Sequence, residues 1–406
     1  MPLGRFGRDL ETQLRDLDDA GTGKGAESVV VAVRPAQGGR GPRLLLDGQG
    51  DREFIRMNSN SYLGLTLHPE LARAEESAAH AFGVGPGAVR FISGTYQPHV
   101  RLETALAQFH ARPAAMVAGS AYTAVAGVLF SLSTPETALI SDELNHNCIV
   151  NGMKLARAKL RKVYPHLNLQ TLQSQLEECA GQCDSAIVIT DGVFSMRGDH
   201  APVDRILELV ARYDGRFARG AVLIVDDSHG VGAFGATGRG TEEITGGRAD
   251  VLVGTLGKAM GVNGGYICSD ATVIRYLREK NPFYIYSNPI APGEAAAALA
   301  SLELIRGGAR LLSHLREMTK RFRDGIKSLG YETIDGQHPV VPLLVRDTDR
   351  TRALVAFLRE NGVLATGLNY PVVPKGEQLI RFQVSADHTA SDIDEVLAVL
   401  ARFRNR

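Results

Sequence analysis

The chain has 406 residues, 44% of them hydrophobic, and its 45 lysine and arginine residues equal its 45 aspartate and glutamate residues. This balance argues against nucleic acid or an anionic membrane surface as a partner, while the length allows two or three domains with a sizeable core. Because no run approaches the roughly 18 apolar residues of a membrane helix, and the four cysteines are too scattered for a disulfide framework or a zinc site, we expect a cytoplasmic protein without a bound metal.

The first 50 residues predict an arm rather than a domain. An amphipathic helix over residues 1 to about 24 is followed by two short strands, SVVVAV and RLLLDG, which a Gly- and Pro-rich turn separates. A strand at FIRM then breaks into the polar turn NSNSYLGL. Two helices are expected next, one with Pro69 in its first turn and one from Val100 to His110.

Residues 113 to about 270 alternate short apolar runs with helical stretches. This rhythm predicts an α/β fold with a mostly parallel sheet covered on both faces. We assign the large α/β domain to residues 51–290. Its predicted strands are 114–119, 137–142, 186–192, 221–227, 251–255 and 264–270.

Long Ala- and Leu-rich helices over residues 291–329 are expected to link this domain to a smaller α+β domain at 330–406. In the smaller domain the segments HPVVPLLV and LIRFQVS predict strands, and helices are expected from Thr351 and from Ser391. The predicted organisation is therefore an arm, a large domain, linking helices and a small C-terminal domain.

One lysine, Lys258, follows the predicted buried strand 251–255 within the glycine-rich stretch GTLGKAMGVNGG. The glycines allow tight bends and the close approach of a flat ligand. Desolvation at such a place lowers the pKa of an amine and frees it for Schiff-base chemistry. An isolated lysine after a strand is more often a solvated surface charge, so the assignment depends on the residues around it.

Polar residues follow the other predicted strands, at the sheet edge where the chemistry of α/β proteins gathers. Taken singly, each fits a helix cap, an ion pair or an ordinary turn residue. Together, a phosphate-binding helix terminus, an aspartate, flat histidines, hydroxyls and a reactive lysine describe a pyridoxal phosphate (PLP) pocket. These residues are Gly119, Ser120, Asn145, His146, Ser195, Asp226 and His229.

A different class of enzyme is the alternative. Gly230, Gly232 and Gly235 spell GxGxxG after a predicted strand, as in a dinucleotide-binding fingerprint, which would indicate an NAD-dependent oxidoreductase. That fingerprint must open a helix, whereas this one leads into ATGRGTEEITGG. The NAD interpretation also leaves Lys258 without a role.

Several longer segments resemble those of one enzyme family. TDGVFSMRGDHAPVDRI, LIVDDSHGVGAFGATGRG, GTLGKAMG and YIYSNPIAP are similar to segments of the α-oxoamine synthases, which are fold-type-I PLP-dependent acyltransferases. The resemblance covers roughly residues 50–400. It implies a seven-stranded, mostly parallel sheet in the large domain. RFISGTYQPHVRLE and SDELNHNCIVNGMKLA are most similar to the glycine C-acetyltransferases (2-amino-3-ketobutyrate CoA ligases) of this family, and next to its 8-amino-7-oxononanoate synthases.

The resemblance implies roles for the residues that contact the cofactor. Lys258 would form the Schiff base and move the Cα proton, Asp226 would pair with the pyridine nitrogen, and His146 would stack on the ring. The remaining implied contacts are those of Ser195 and His229 with the ring O3′ oxygen, of Thr255 with the phosphate or O3′, and of Gly119, Ser120 and, from a second subunit, Ser287 and Asn288 with the phosphate.

The resemblance also implies the substrates. Arg381 would bind the amino acid carboxylate with Asn60 as its helper, and His99 would lie on the acyl side. The implied reaction joins a glycine-, alanine- or serine-like amino acid to an acyl thioester, usually with loss of CO2, to give an α-aminoketone in a homodimer. Arg197 stands where close relatives usually carry an acidic residue, and Leu379 where several carry arginine. The amino acid, the acyl chain and the choice between acyl-CoA and an acyl carrier protein therefore stay open.

Overall fold

The structure is a computed structural model that describes residues 3–20, 22–23, 25–370 and 372–405. The N-terminal arm contains helix α1 (Gly4–Asp19) and strands β1 (Val30–Arg34) and β2 (Arg43–Leu46), which pair antiparallel. None of the α1 residues is buried, and all five residues of β1 are exposed. The predicted helix is present, although it ends about five residues earlier than expected.

The other elements of the chain are short strands and helices that alternate, as the sequence predicts. In chain order they are β3 (Ile55–Arg56), α2 (Pro69–Phe82), α3 (Gln97–Phe109), β4 (Ala114–Ala118), α4 (Ala121–Leu132), β5 (Thr137–Asp142), α5 (Asn147–Leu155), β6 (Leu160–Tyr164), α6 (Leu169–Ala180), β7 (Ser185–Asp191), α7 (Val203–Asp214), β8 (Ala221–Asp226), α8 (Thr241–Thr245), β9 (Val251–Thr255), β10 (Gly265–Ser269), α9 (Ala271–Lys280), α10 (Pro282–Ile285), α11 (Pro292–Gly307), α12 (Ala309–Ser328), β11 (Glu332–Thr333), β12 (Val340–Leu344), α13 (Thr348–Glu360), β13 (Val363–Leu364), β14 (Thr366–Leu368), β15 (Leu379–Gln383) and α14 (Ala390–Arg404).

A seven-stranded sheet has the order β4-β10-β9-β8-β7-β5-β6. Strand β10 is antiparallel to both of its neighbours, and the other adjacent pairs are parallel. All six predicted strands are confirmed, and β6 at the edge is an addition. The carboxyl ends of the parallel strands therefore lie along one edge, where α/β enzymes bind their ligands.

Alternate residues of these strands enter two separate cores. On β5, Ala138 and Ile140 belong to one apolar cluster, and Leu139 belongs to the other. Apolar residues of α3, α6, α7 and α11 complete the first cluster, and those of α4, α5 and α9 complete the second. Because both faces are covered, the strands are buried runs of apolar residues.

Local capping explains where two of the helices begin. Pro69 occupies the first turn of α2, and the side chain of His68 accepts a hydrogen bond from the backbone of Glu70. Helix α3 begins three residues before the predicted Val100, since Pro98 fits its first turn and His99 Nδ1 accepts a hydrogen bond from Tyr96 N.

A second, four-stranded antiparallel sheet near the carboxyl terminus has the order β11-β12-β15-β14. The chain just after the arm is joined to this part of the structure. Strand β3 pairs parallel with β13, and the carbonyl of Met57 accepts a hydrogen bond of 2.8 Å from Gln383 N on β15. The segment that carries Asn60 is thereby fixed beside the strand that carries Arg381. Among the described residues, no helix is both long enough and apolar enough to cross a bilayer.

Candidate active site

Lys258 lies in the short connection between β9 and β10. The connection closes on itself, because Gly261 N donates to the carbonyl of Lys258 and Leu256 N donates to that of Gly264, both at 3.0 Å. Gly261 has a φ of +72°, and a Cβ there would approach Thr66 N to 2.6 Å, so this turn requires glycine. Burial lowers the pKa of Lys258, although the charges of nearby carboxylates oppose this effect. The amine is thus closer to its neutral, nucleophilic form than a surface lysine.

Two aspartates lie side by side at the carboxyl ends of β7 and β8, where Asp191 and Asp226 are partners in the sheet register. Asp226 is 5% exposed, and its Oδ1 accepts hydrogen bonds from Ser228 N at 3.2 Å and Ser228 Oγ at 2.5 Å. Its Oδ2 accepts a hydrogen bond from Cys148 Sγ at 3.5 Å. Burial and the neighbouring Asp226 charge raise the pKa of Asp191 well above its usual value. The pair therefore disfavours the ionised form of Asp191.

His146 occupies the N-cap position of α5. Its Nδ1 accepts a hydrogen bond from Cys148 N at 3.2 Å, and its own backbone N donates to Asp191 Oδ2 at 3.0 Å. The ring meets that of Tyr122 edge to face, with centroids 6.3 Å apart. Burial lowers the pKa of His146, so the imidazole is neutral and suited to stacking on a flat ring. The structure thus brings His146 and Asp226 together through Cys148.

His229 is buried directly after β8. Its Nδ1 lies 2.6 Å from the hydroxyl of Tyr62, and its carbonyl accepts a hydrogen bond from His338 Nε2 at 2.9 Å. Burial, and then the positive charge of Lys258, lowers the pKa of His229 well below its ordinary value. His229 is therefore a neutral hydrogen-bonding group whose orientation Tyr62 fixes.

Arg381 projects from β15 toward the turn that follows β7. Its guanidinium donates to the carbonyl of Ser195 at 3.3 Å, and its buried Nε has no hydrogen-bond partner among the described residues. Burial lowers the pKa of Arg381, with Tyr62 rather than a carboxylate as the opposing partner. On the same strand, Gln383 Nε2 donates to Asn60 Oδ1. A half-buried guanidinium with an unused, buried donor is a site for a carboxylate ligand.

Gly119 and Ser120 connect β4 to α4. Ser120 Oγ accepts a hydrogen bond from Thr123 N at 3.1 Å, which caps the 12-residue helix. A Cβ on Gly265 of β10 would approach Ala121 N to 2.2 Å, so the glycine allows the strand to abut the helix terminus. On β9, Thr255 Oγ1 accepts from Gly257 N at 3.1 Å. The helix terminus carries partial positive charge, which suits a phosphate.

Three further predicted residues, Ser287, Asn288 and His99, make none of the active-site contacts described above. Ser287 and Asn288 are exposed, and the carbonyl of Asn288 lies 3.9 Å from the point where a Cβ on Gly119 of the same chain would be. His99 is fully buried, its Nδ1 accepts from Tyr96 N, and its Nε2 lies 2.9 Å from the carbonyl of Ile290. The ring of His99 therefore stabilises the start of α3 and has no free nitrogen for a substrate.

Four residues of the site were not predicted. Each of them forms a hydrogen bond with a predicted residue. They are Tyr62, Cys148, Asp191 and Gln383. Asp191 ends a predicted strand just as Asp226 does, so the same criterion identifies it. The other three depend on contacts that only the folded chain makes.

The residues fit PLP better than a dinucleotide. An amine, a buried carboxylate, a neutral flat histidine and a helix terminus match the aldehyde, ring nitrogen, ring face and phosphate of PLP. The GxGxxG segment does not open a helix: Gly232 and Gly235 have φ of +80° and +87°, and the next helix, α8, begins at Thr241 and has five residues. The NAD-dependent interpretation is therefore wrong.

Comparisons with known proteins agree with this chemistry. A family model described as aminotransferase class I and II matches residues 52–400. An 8-amino-7-oxononanoate synthase from Thermosipho melanesiensis is 37% identical over 91% of this chain and 93% of that protein. The human mitochondrial 2-amino-3-ketobutyrate coenzyme A ligase is 36% identical over 95% of this chain and 89% of that protein.

A solved structure is similar over nearly the whole chain. A serine palmitoyltransferase variant from S. paucimobilis with a bound PLP–myriocin aldimine superimposes with a TM-score of 0.87, covering 99% of this chain and 98% of that chain. Its sequence identity is 24%, so the similarity is evidence for the fold. The predicted fold-type-I transferase fold is confirmed.

Proposed function

The chain belongs to the α-oxoamine synthases, PLP-dependent enzymes within the class I and II aminotransferase family, and on this premise we propose that it joins an α-amino acid to an acyl thioester, usually with loss of CO2. The observation that carries the proposal is the placement of a desolvated amine, Lys258, and a half-buried guanidinium with an unused, buried Nε, Arg381, within electrostatic reach of each other. An amino acid substrate would react at its amino group, through the cofactor that Lys258 would hold, and would be bound at its carboxylate by Arg381.

In this proposal each residue next to the cofactor has a separate role. Pyridoxal phosphate supplies an electron sink next to the amino acid Cα. Lys258 would hold the cofactor through its amine and would carry the Cα proton, since its lowered pKa makes the neutral, proton-accepting amine easier to form than on a surface lysine. Asp226 would accept a hydrogen bond from the pyridine nitrogen, and Ser228 and Cys148 keep its two oxygens in place. His146 would cover the ring face.

The substrate residues orient the amino acid. The planar fork of Arg381 binds the carboxylate, and Asn60, positioned by Gln383, supports it. His229 and Ser195 are assigned to the ring O3′ oxygen, and Thr255, Gly119 and Ser120 to the phosphate side. With the carboxylate fixed, Arg381 would orient the bond to be broken so that its electrons could pass to the cofactor.

Within this reaction, an 8-amino-7-oxononanoate synthase type of activity has the most support, because several relatives of that name are 35–39% identical. The name describes an α-aminoketone with a carboxylate at the far end, which corresponds to alanine plus a seven-carbon dicarboxylic acyl group. A glycine C-acetyltransferase type of activity is the second candidate, favoured by the human relative and by RFISGTYQPHVRLE and SDELNHNCIVNGMKLA. The same site would then take glycine and an acetyl thioester.

Visible absorbance and thiol release together test the proposal. Purified protein is mixed with alanine, glycine or serine, and heptanedioyl-CoA or acetyl-CoA is then added while free thiol is followed. A spectral shift with alanine and thiol release with the dicarboxylic thioester are expected. Thiol release with glycine and acetyl-CoA would support the second candidate. Thiol release only with a thioester on an acyl carrier protein would show that the acyl donor is the carrier protein rather than CoA. A colourless protein that does not take up PLP would contradict the function.

A homodimer is part of the proposal. Ser287 and Asn288 follow the 79% exposed Tyr286, and Phe91 and Ile92 are each 68% exposed. Phe91 and Tyr286 line the same surface cavity. Contact with a second copy would remove this apolar surface from water and bring Ser287 and Asn288 close to the partner's phosphate site.

A further inference from the structure

His166 lies just after β6, outside the residues assigned to the cofactor and substrate. Its Nδ1 is 3.0 Å from Asp142 Oδ1, and its Nε2 is 3.3 Å from Asp199 Oδ2. The side chain is 15% exposed, and its ring meets that of Phe194 edge to face at 4.4 Å. We call His166, Asp142 and Asp199 the His166 clamp. It joins the end of β5 to the turn 193–200.

Both partners of this imidazole are hydrogen-bond acceptors when ionised. A neutral histidine donates from one nitrogen only, so two hydrogen bonds to two carboxylates require the imidazolium. Burial lowers the pKa of His166, but the hydrogen bonds to Asp142 and Asp199 outweigh this effect and raise the pKa to about 9. The clamp is therefore charged at neutral pH.

The other ionisable groups around the clamp leave this assignment intact. Glu143 accepts from the backbone N of His166, Arg197 donates to Asp199 Oδ2 at 2.9 Å, and Arg197 also pairs with Glu377 at 3.4 Å. Burial raises the pKa of Tyr164, so its hydroxyl is neutral. The described surroundings of His166 are thus rich in carboxylates, and the positive charge of Arg197 is compensated by Glu377.

Each carboxylate of the clamp controls a segment of the active site. Asp142 also accepts hydrogen bonds from Leu144 N and Leu167 N, and the loop that it fixes leads to Asn145 and His146. Asn145 Nδ2 donates to the carbonyl of Ile189 at 2.9 Å. This end of the clamp supports the loop that carries the ring-stacking histidine.

Asp199 closes the turn that contains Ser195. Phe194 N donates to the carbonyl of Asp199 at 2.9 Å, and Gly198 N donates to that of Phe194 at 2.8 Å. Within this turn the carbonyl of Ser195 accepts from the Arg381 guanidinium. Displacement of the turn would therefore remove a fixed contact of Arg381.

We propose that His166 is a positioning residue: as an imidazolium it ties the turn 193–200 to the loop 142–146, and it thereby holds Arg381 in the geometry that binds the amino acid carboxylate. The link to substrate binding rests on the proposed function. Because the folded-state pKa of His166 lies above its ordinary value near 6.5, the contribution of the clamp is complete below about pH 6.5 and is lost as the pH rises through about 9.

The first test follows the clamp without any reaction. In holoenzyme with histidine labelled at Cε1, the signal absent from His166→Gln is expected to titrate near pH 9, and hydrogen exchange of residues 193–200 is expected to be faster in the variant at pH 7.5. His80→Gln is the matched control, since the His80 side chain is 82% exposed. A His166 signal that titrates near 6.5, or unchanged exchange in His166→Gln, would overturn the proposal.

The second test measures KM for the amino acid between pH 7 and 10. At pH 7.5 the KM of His166→Gln is expected to be about tenfold above that of the wild type, with kcat changed less. The reason is that even a small displacement of the Arg381 guanidinium weakens substrate binding by about this factor. At pH 10 the ratio is expected to approach one, because the wild type has then lost the same clamp. A ratio independent of pH would overturn the proposal.

Asp199→Asn provides a second variant in case His166→Gln folds poorly. It keeps the imidazole but removes one charged acceptor, so we expect the His166 signal to titrate at lower pH and KM to rise at a correspondingly lower pH. An unchanged titration would overturn the proposal. Absence of thiol release in the wild type with every amino acid would instead contradict the proposed function, because the titration and exchange measurements do not depend on it.

Discussion

Replacing Arg381 with lysine isolates the task that we assign to its guanidinium. Lysine keeps the positive charge but offers a single point of contact, whereas a carboxylate binds an arginine fork through two parallel hydrogen bonds. In the structure Arg381 donates to the carbonyl of Ser195, and its buried Nε has no partner among the described residues. Arg381→Lys therefore removes one substrate hydrogen bond without leaving a carboxylate of the protein unpaired.

The size of the effect follows from this lost contact. A hydrogen bond to a charged group contributes about 1.5–3 kcal/mol, and each 1.4 kcal/mol corresponds to about tenfold in binding. We expect the KM for the amino acid to rise about 10- to 100-fold, and kcat to fall because the carboxylate is held less firmly. The KM for the thioester is expected to change less.

The assay compares alanine with ethylamine, which has the same skeleton without the carboxylate. Dissociation constants are measured from the change in visible absorbance of the cofactor when each amine is added. Arg381→Lys is expected to weaken the binding of alanine but not the binding of ethylamine. Arg310→Lys is the matched control, because Arg310 lies exposed on α12.

The decisive quantity is the preference for alanine over ethylamine. If Arg381 binds the carboxylate, this preference falls in Arg381→Lys by the same factor as the alanine affinity. An equal preference in the wild type and the variant would refute the assignment, whatever happens to turnover. Loss of both affinities together would mean that the substitution disturbs the pocket rather than one contact.

Lys258→Ala is expected to abolish thiol release while the protein still takes up PLP reversibly, as absorbance before and after dialysis would show; turnover in this variant would contradict the role of the amine. Sedimentation velocity is expected to give a homodimer, and a fully active monomer would contradict the shared site. Asp392→Asn removes the shorter of the two ion pairs of the 4% exposed Arg43, which keeps Glu395 at 3.4 Å, so the free energy of unfolding in urea is expected to fall by about 3 kcal/mol, the lower end of the cost of breaking a buried pair. Asp394→Asn breaks an exposed pair with Arg321 and is expected to leave the urea unfolding midpoint unchanged. Equal losses of unfolding free energy in the two variants would contradict the expectation that the buried pair contributes more.

The sheet was predictable because its strands are buried runs of apolar residues. The exception, β6, has the sequence LRKVY and lies at the sheet edge, where Arg161 and Val163 are exposed. Its charged residues break the apolar pattern that identifies an interior strand. The start of α3 was also missed, because Pro98 in its first turn resembles a loop residue when the cap at Tyr96 is unknown.

The cofactor side of the site was predictable for a related reason. Lys258 follows one buried strand and Asp226 ends another, and the strand order then brings their side chains to one edge. Tyr62 and Gln383 were out of reach, because their roles arise from contacts with residues that are distant in the chain. Asn60 and Gln383 are 323 positions apart, and no local pattern connects them.

That separation in the chain has a consequence for synthesis. The ribosome delivers the amino end first, so residues 114–269 can complete the large sheet before β15 exists. The segment with Asn60, in contrast, meets its partners on β13 and β15 only when the end of the chain has emerged. The half of the pocket that holds Lys258 can therefore assemble during translation, whereas the half that selects the amino acid must wait for release.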